Sequence, residues 1–311
     1  MRGASAGALP AGGDLTPAIL LAVINPGAVL LSAVAPALLG VLLAVKARGW
    51  VDPLMACVLV LIPALMNAAV DLLNDYHDYV RGNDGAEDAD SPLAYRRVAD
   101  PEPVRRLGLG LLCLAAVLGA FVVWKAGPGP AVIGLIGAGM VLAYSGGAMP
   151  LSHLPVGELA AGFTLGGLIP LGVFASLTGG LDPLILYQSI PMMLVVAQLM
   201  LVNNTCDIER DRAAGRRTLP ILMGRAGAQR LADVVSLLWV AQLLHVTVTW
   251  FGKGLPVLAV GLLITFRGLF LTLRCDRTPR NRAATTGAVA LAGLGVAVGY
   301  PLAVLVHILR S

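Results

Sequence analysis

Apolar stretches of about twenty residues, the length a helix needs to cross a bilayer, recur along the whole of this 311-residue chain. They read as helical spans at 17–45, 53–80, 105–124, 130–149, 157–179, 183–205, 228–251, 255–273 and 284–309. Gly/Pro breaks at "AGPGP" (126–130), "GGLDP" (179–183) and "GKGLP" (252–256) separate several of them. The stretches lack the two-residue alternation of membrane strands, which argues against a barrel. Only 13% of the residues are charged and 57% are hydrophobic, whereas a soluble domain carries roughly 25% charged residues. The expected fold class is an all-α integral membrane protein with about nine transmembrane helices. The first apolar run continues to about Ala47 without a cleavage site, so residues 1–14 read as a flexible tail and 15–311 as one transmembrane domain. The four cysteines are scattered without a CxxC pair, and Cys57 and Cys113 read as buried thiols inside apolar runs.

With nine spans, the Lys and Arg residues fall unevenly about the membrane. Sixteen lie with the amino terminus and its side, in the loops around 81–106, 210–230 and 274–282; five lie opposite, and Arg267 is inside a span. The Arg-rich side is therefore expected to be cytoplasmic, in the plasma membrane. The net charge of +4 follows from this topology and gives no reason to expect nucleic acid. Two long polar loops stand out on that side, "RGNDGAEDADSPLAYRRVADPEP" (81–103) and "CDIERDRAAGRRTLPILMGRAG" (206–227).

Acidic residues gather where helices feed these loops. Asp71, Asp75 and Asp78 occupy i, i+4 and i+7 and share one helix face, with Asn74 beside them and Asn67 one turn earlier. Asp207 and Asp211 repeat the i, i+4 spacing, with Asn203 one turn before Asp207 and Asn204 alongside. Like charges so spaced destabilise a helix, and a charge near hydrocarbon costs about 2.5–3.5 kcal/mol on insertion scales. A hard divalent cation compensates both costs: Mg²⁺ takes oxygen ligands and binds through one or two carboxylates plus substrate phosphates. Two acidic faces opening on a common cavity would hold roughly two Mg²⁺ with a diphosphate between them. Arg210, Arg212, Arg216 and Arg217 would neutralise the remaining phosphate charge. Ordinary wet, capped helix ends are the competing reading of either cluster alone. Loop acids such as Glu87, Asp88 and Asp90 read as solvated.

Asp71-x-x-Asn74-Asp75-x-x-Asp78 resembles the first signature, NxxNDxxD, of the UbiA superfamily of intramembrane prenyltransferases, and "NNTCDIERDRAAGRRTLPILMG" (203–224) resembles the second, DxxxD. "SAVAPALLG" (32–40) and "YSGGAMPLSHLPVGE" (144–158) are similar to the branch that prenylates 1,4-dihydroxy-2-naphthoate for menaquinone. The resemblance implies nine helices around a central cavity. It also implies transfer of a polyprenyl group from an allylic diphosphate to an aromatic acceptor, with Mg²⁺ as cofactor and the lipid bilayer as surroundings. On the matching positions, Asn74, Asp75 and Asp78 would hold one metal ion and Asp207 and Asp211 the other. Asp71, Asn67 and Asn203 would support them, and Arg217, Arg210 and Arg216 would contact diphosphate. Tyr144 matches a family tyrosine near the cavity or belongs to the interfacial aromatic belt, and Glu158 either orients the acceptor or caps the helix after Gly157. The chain departs from the pattern in carrying Asp71 where the family has Asn, Cys206 where it has Arg, and Asn25-Pro26 for Arg-Pro. These departures bear on the acceptor more than on diphosphate chemistry. Other acceptors (4-hydroxybenzoate, homogentisate, a lipid phosphate), terpene cyclisation and, from a different class, ion-coupled transport stay open.

Overall fold

A computed structural model describes residues 13–81, 91–145 and 150–311. Most of the expected tail (1–12), the loop acids Glu87, Asp88 and Asp90, and residues 146–149 of the "YSGGAMP" stretch lie outside the described residues. Among those described, the chain is helical apart from turns and one isolated parallel bridge between Gly13 and Val98. The helices Pro17–Ile24, Pro53–Arg81, Pro92–Arg96, Pro128–Ser145 and Pro183–Gln188 all begin on proline. A proline at that position lacks only an N–H that the first turn leaves unpaired anyway. Gly127 (φ 82) and Gly179 (φ 76) follow helix ends at two of the three breaks read from sequence, because glycine takes the left-handed conformation without a Cβ penalty.

Among the described residues the expected spans fall mostly on helix, with 17–45 interrupted at Asn25 (φ 47) and 183–205 at Ser189. Six helices are long and apolar enough to cross a membrane, and a seventh if Gly252–Leu263 and Thr265–Arg274, bent by 46°, count as one. Pro128–Met140 and Ile190–Cys206 are shorter apolar helices. Large apolar side chains such as Val117, Trp124, Leu135, Leu263 and Phe266 face outward, as lipid contact requires and a water-facing surface would not tolerate. Arg267 is exposed on this surface. Cys57 and Cys113 are exposed rather than buried, and Cys206 is the buried thiol. A membrane protein's apolar run has an outward face, so burial does not follow from apolar neighbours.

The chain divides into two compact units, one of Met1–Val29 with Leu65–Ala116 and one of Leu30–Ala64 with Val117–Ser311. The first has its own small core of Ile19, Val23, Leu72, Leu93, Val98 and Val104, with Tyr76 and Tyr79 packed against it. Its segment 91–98, a polar loop by sequence, contains the Pro92–Arg96 helix and buries Leu93 and Val98 completely. The Tyr79 hydroxyl donates to the Val98 carbonyl.

The second unit's core centres on Trp239, Leu243, Phe251, Tyr300, Leu39 and Met192. A buried polar network links the Ile190–Cys206 and Leu219–Trp250 helices. The Gln198 amide donates to the Ala232 carbonyl (3.1 Å) and to Ser236 Oγ, and its Oε1 accepts from Trp239 Nε1 (2.8 Å). Gly268 lets the Leu255–Arg274 helix touch Arg282–Leu294, since a Cβ there would stand 2.3 Å from the Ala292 nitrogen. Small residues serve this purpose in membranes, where packing and not water exclusion drives helix association.

Candidate active site

The first acidic motif is positioned by the small core of the first unit. Leu72, Tyr76 and Tyr79 follow one another at i, i+4 and i+7 and face that core. Asp71, Asp75 and Asp78 each precede one of them, or lie about 100° round the helix from it. All three carboxylates are half-buried and Asn74 is exposed. Asp71 Oδ2 is buried without a hydrogen-bond partner, whereas Asn67, Asp75 and Asp78 each have interactions of their own.

The second motif lies in the second unit at a helix break. Ile190–Cys206 ends at Asp207, whose backbone (φ −97, ψ 13) leaves the helical region before Ile208–Ala213 begins. The Asp211 N–H still donates to the Asp207 carbonyl at 2.8 Å, so the four-residue register survives the break. Four polar side chains here, Asn203, Asn204, Asp207 and Asp211, have defined contacts. Asp207 Oδ2 accepts from Arg282 Nε (3.0 Å), and Asp211 Oδ1 from Arg216 Nη1 (3.0 Å). Asn203 Oδ1 accepts from the Thr286 hydroxyl (2.8 Å), and Glu158 Oε1 from Asn204 Nδ2 (2.9 Å).

Asp211 and Glu158 are both 3% exposed. Burial raises the Asp211 carboxyl above its ordinary range, against the pull of Arg216. Both residues keep a buried oxygen, Asp211 Oδ2 and Glu158 Oε2, without a hydrogen-bond partner. Buried carboxylate oxygens in that state are rare enough to need a reason. The Tyr144 ring is half-buried, its hydroxyl 3.6 Å from Met200 Sδ, and it interacts electrostatically with Glu158, Arg216 and Asp211. The Arg217 backbone N–H donates to the His153 carbonyl at 2.8 Å, tying the arginine turn to segment 150–156. Burial, then Arg216, lowers His153 below its usual range. The Arg217 and Arg210 side chains are exposed.

Of the residues expected from sequence, the structure brings Asn203, Asp207, Asp211, Arg216, Tyr144 and Glu158 into one set of contacts. It adds Arg282 and Thr286, which the sequence offered only as a basic loop and a helix start. They stand 75 and 83 positions from their partners, and no local pattern signals a pairing that distant.

Among the described residues no three His, Cys, Asp or Glu side chains converge to hold a metal ion unaided. Taken unit by unit, the donors nevertheless suit Mg²⁺: each motif offers carboxylate and amide oxygens, and each has a buried carboxylate oxygen to spare, Asp71 Oδ2 in the first unit and Asp211 Oδ2 in the second. Mg²⁺ commonly needs only one or two carboxylates, completing its shell with water and substrate phosphate.

The chain resembles known proteins in both sequence and fold. The UbiA prenyltransferase family profile matches residues 33–294. The 1,4-dihydroxy-2-naphthoate octaprenyltransferase of Bacillus subtilis (strain 168) is 34% identical over 215 residues, 67% of this chain and 68% of that protein. The mouse UbiA prenyltransferase domain-containing protein 1 is 28% identical over 256 residues, 80% of this chain and 74% of that one. In fold, a UbiA homologue from Archaeoglobus fulgidus solved with GPP and Mg²⁺ superposes with a TM-score of 0.57 at 18% identity, covering 91% of this chain and 99% of that chain.

Proposed function

The chain belongs to the UbiA prenyltransferase family and is a prenyltransferase, and from that premise we propose that it carries a polyprenyl group from an allylic diphosphate to 1,4-dihydroxy-2-naphthoate. The carrying observation is the buried pair Asp211 and Glu158, each with one carboxylate oxygen left over. Asp211 is paired with Arg216 and Glu158 with the Asn204 amide, and Tyr144 interacts electrostatically with both carboxylates, so a charged head and a hydroxylated ring each find a partner. The B. subtilis relative supports naphthoate as the acceptor, and the A. fulgidus homologue's ligands support magnesium and a prenyl diphosphate.

Asn74, Asp75 and Asp78 would hold one Mg²⁺ and Asp207 and Asp211 a second, with Asn67, Asp71 and Asn203 as supports. When bound, the ions would neutralise the diphosphate and stabilise charge on the leaving group. Arg216, Arg217 and Arg210 bind phosphate oxygens through their planar forks. Arg216, already on Asp211, would turn part of its fork to the substrate. The allylic C–O bond breaks, the ring carbon forms the new C–C bond, and the ring carboxylate leaves as CO₂. Glu158 Oε2 accepts a hydrogen bond from the acceptor's hydroxyl and so orients the ring. Apolar surroundings keep out water that would quench the cation. In this reading the protein is multi-pass with all nine helical segments spanning, Pro128–Ser145 and Ile190–Cys206 included. The site faces the cytoplasm of a plasma membrane.

The test is to offer the purified protein in lipid nanodiscs a polyprenyl diphosphate, Mg²⁺ and a mixture of 1,4-dihydroxy-2-naphthoate, 4-hydroxybenzoate and homogentisate, and to identify the product by mass. Prenylated naphthoquinol with release of CO₂ is expected. A prenylated benzoate, or a cyclised terpene with no acceptor consumed, would refute the acceptor.

A further inference from the structure

One arginine outside both motifs reaches both flanks of Asp207. Arg225 Nη2 donates to the two carboxylate oxygens of Glu209 (2.8 and 2.6 Å), and Nη1 donates to the Thr205 carbonyl (2.7 Å) and to the Arg277 carbonyl. Thr205 lies two residues before Asp207 and Glu209 two residues after it. An exposed Arg–Glu pair alone would contribute little. The two backbone carbonyls distinguish this one, because they tie the fork to the main chain just before Asp207 and to the main chain at Arg277.

The anchor behind it is buried and hydrogen-bonded. Arg277 is 2% exposed, and its guanidinium donates to the carbonyls of Gln229 (2.9 Å) and Thr272 (2.9 Å) and to Asp233 Oδ1 (2.6 Å). Arg282, five residues on, donates to Asp207 itself. Gly224 stands immediately before Arg225 with φ 70 and ψ 164 inside the Leu219–Trp250 helix. Glycine adopts that conformation without strain, and the break sets the direction in which the helix restarts at Arg225.

We propose that Arg225, aimed by Gly224, is a positioning residue for the second acidic motif. It fixes the chain on both sides of the Asp207 helix break so that the Asp207 carboxylate is presented to a divalent cation and a diphosphate. The assignment rests on Asp207 being a cation ligand, as proposed above.

The test uses the full chain in detergent, Mn²⁺ as a paramagnetic probe and inorganic pyrophosphate, with affinity read by electron paramagnetic resonance and folding by melting temperature. Arg225→Lys keeps the charge but not the planar fork and is expected to weaken Mn²⁺ binding about tenfold, as outer-shell changes do. Glu209→Gln should fall between it and wild type, with an unchanged melting temperature. Arg225→Gln should weaken binding further; if it does not fold, the other two variants decide. A lowered melting temperature with wild-type Mn²⁺ affinity in the folded protein overturns the positioning role. Wild-type protein that binds no Mn²⁺ with pyrophosphate overturns the cation-ligand reading itself, and the positioning role with it.

Discussion

Asp207→Asn is expected to lower kcat for prenyl transfer about a thousandfold, several kcal/mol of leaving-group stabilisation at 1.4 kcal/mol per tenfold. The substitution preserves shape and one oxygen but removes the charge. It can also set an amide NH₂ against Arg282 Nε, which now donates to Asp207 Oδ2 at 3.0 Å. Asp211→Asn should act similarly, since its buried Oδ2 is the oxygen left for a cation. Both variants should fold, because asparagine is isosteric and the backbone bond between the two positions is retained. Steady-state rates in nanodiscs, with melting temperature as the folding control, check this. A folded Asp207→Asn protein with near wild-type kcat would remove Asp207 from the chemistry.

Trp239→Ala is expected to have the largest effect on stability, roughly 3–5 kcal/mol for a fully buried aromatic. Trp239 is 0% exposed and is among the largest buried side chains. Its loss leaves a cavity and also strips Gln198 Oε1 of its donor. Trp239→Phe keeps most of the volume and isolates the second effect, about 1–3 kcal/mol for an unsatisfied buried acceptor. Unfolding in mixed detergent micelles measures both. Equal stability of the Phe variant and wild type would show that the Gln198 network contributes only packing. The network matters to the site because Gln198 lies on the Ile190–Cys206 helix that delivers Asn203, Asn204 and Asp207.

Long apolar runs and Gly/Pro breaks made the helices legible, and their ends mostly fall within a few residues of the expected ones. The Leu219–Trp250 helix starts well before the expected 228. Its first turns, "LPILMGRAG", read as loop because they hold two glycines and an arginine, yet only Gly224 leaves the helical conformation. The expected 183–205 span is two helices, Pro183–Gln188 and Ile190–Cys206, meeting at Ser189, whose hydroxyl bonds the Ile185 carbonyl. Segment 91–98 was missed as structure because Leu93 and Val98 are isolated apolar residues with no periodicity to betray their burial.

The acidic motifs were legible because charge in a greasy chain is conspicuous. Their partners were not. Arg282, Thr286 and Arg225 carry no local pattern that sets them apart in sequence, and only tertiary contact assigns them. Asp71, which adds a third acid to the first motif, keeps a buried oxygen without a partner; no contact in the structure explains why it is not asparagine.

Whether the two motifs serve one diphosphate is decided by a double-mutant cycle on Asp75→Asn and Asp207→Asn, read as single-turnover rates with saturating polyprenyl diphosphate and Mg²⁺. Groups that act as a unit are strongly non-additive, so the double variant should be no slower than the slower single variant within about threefold. A double variant slowed by the product of the two single effects, or either single variant at full rate, would contradict a shared diphosphate.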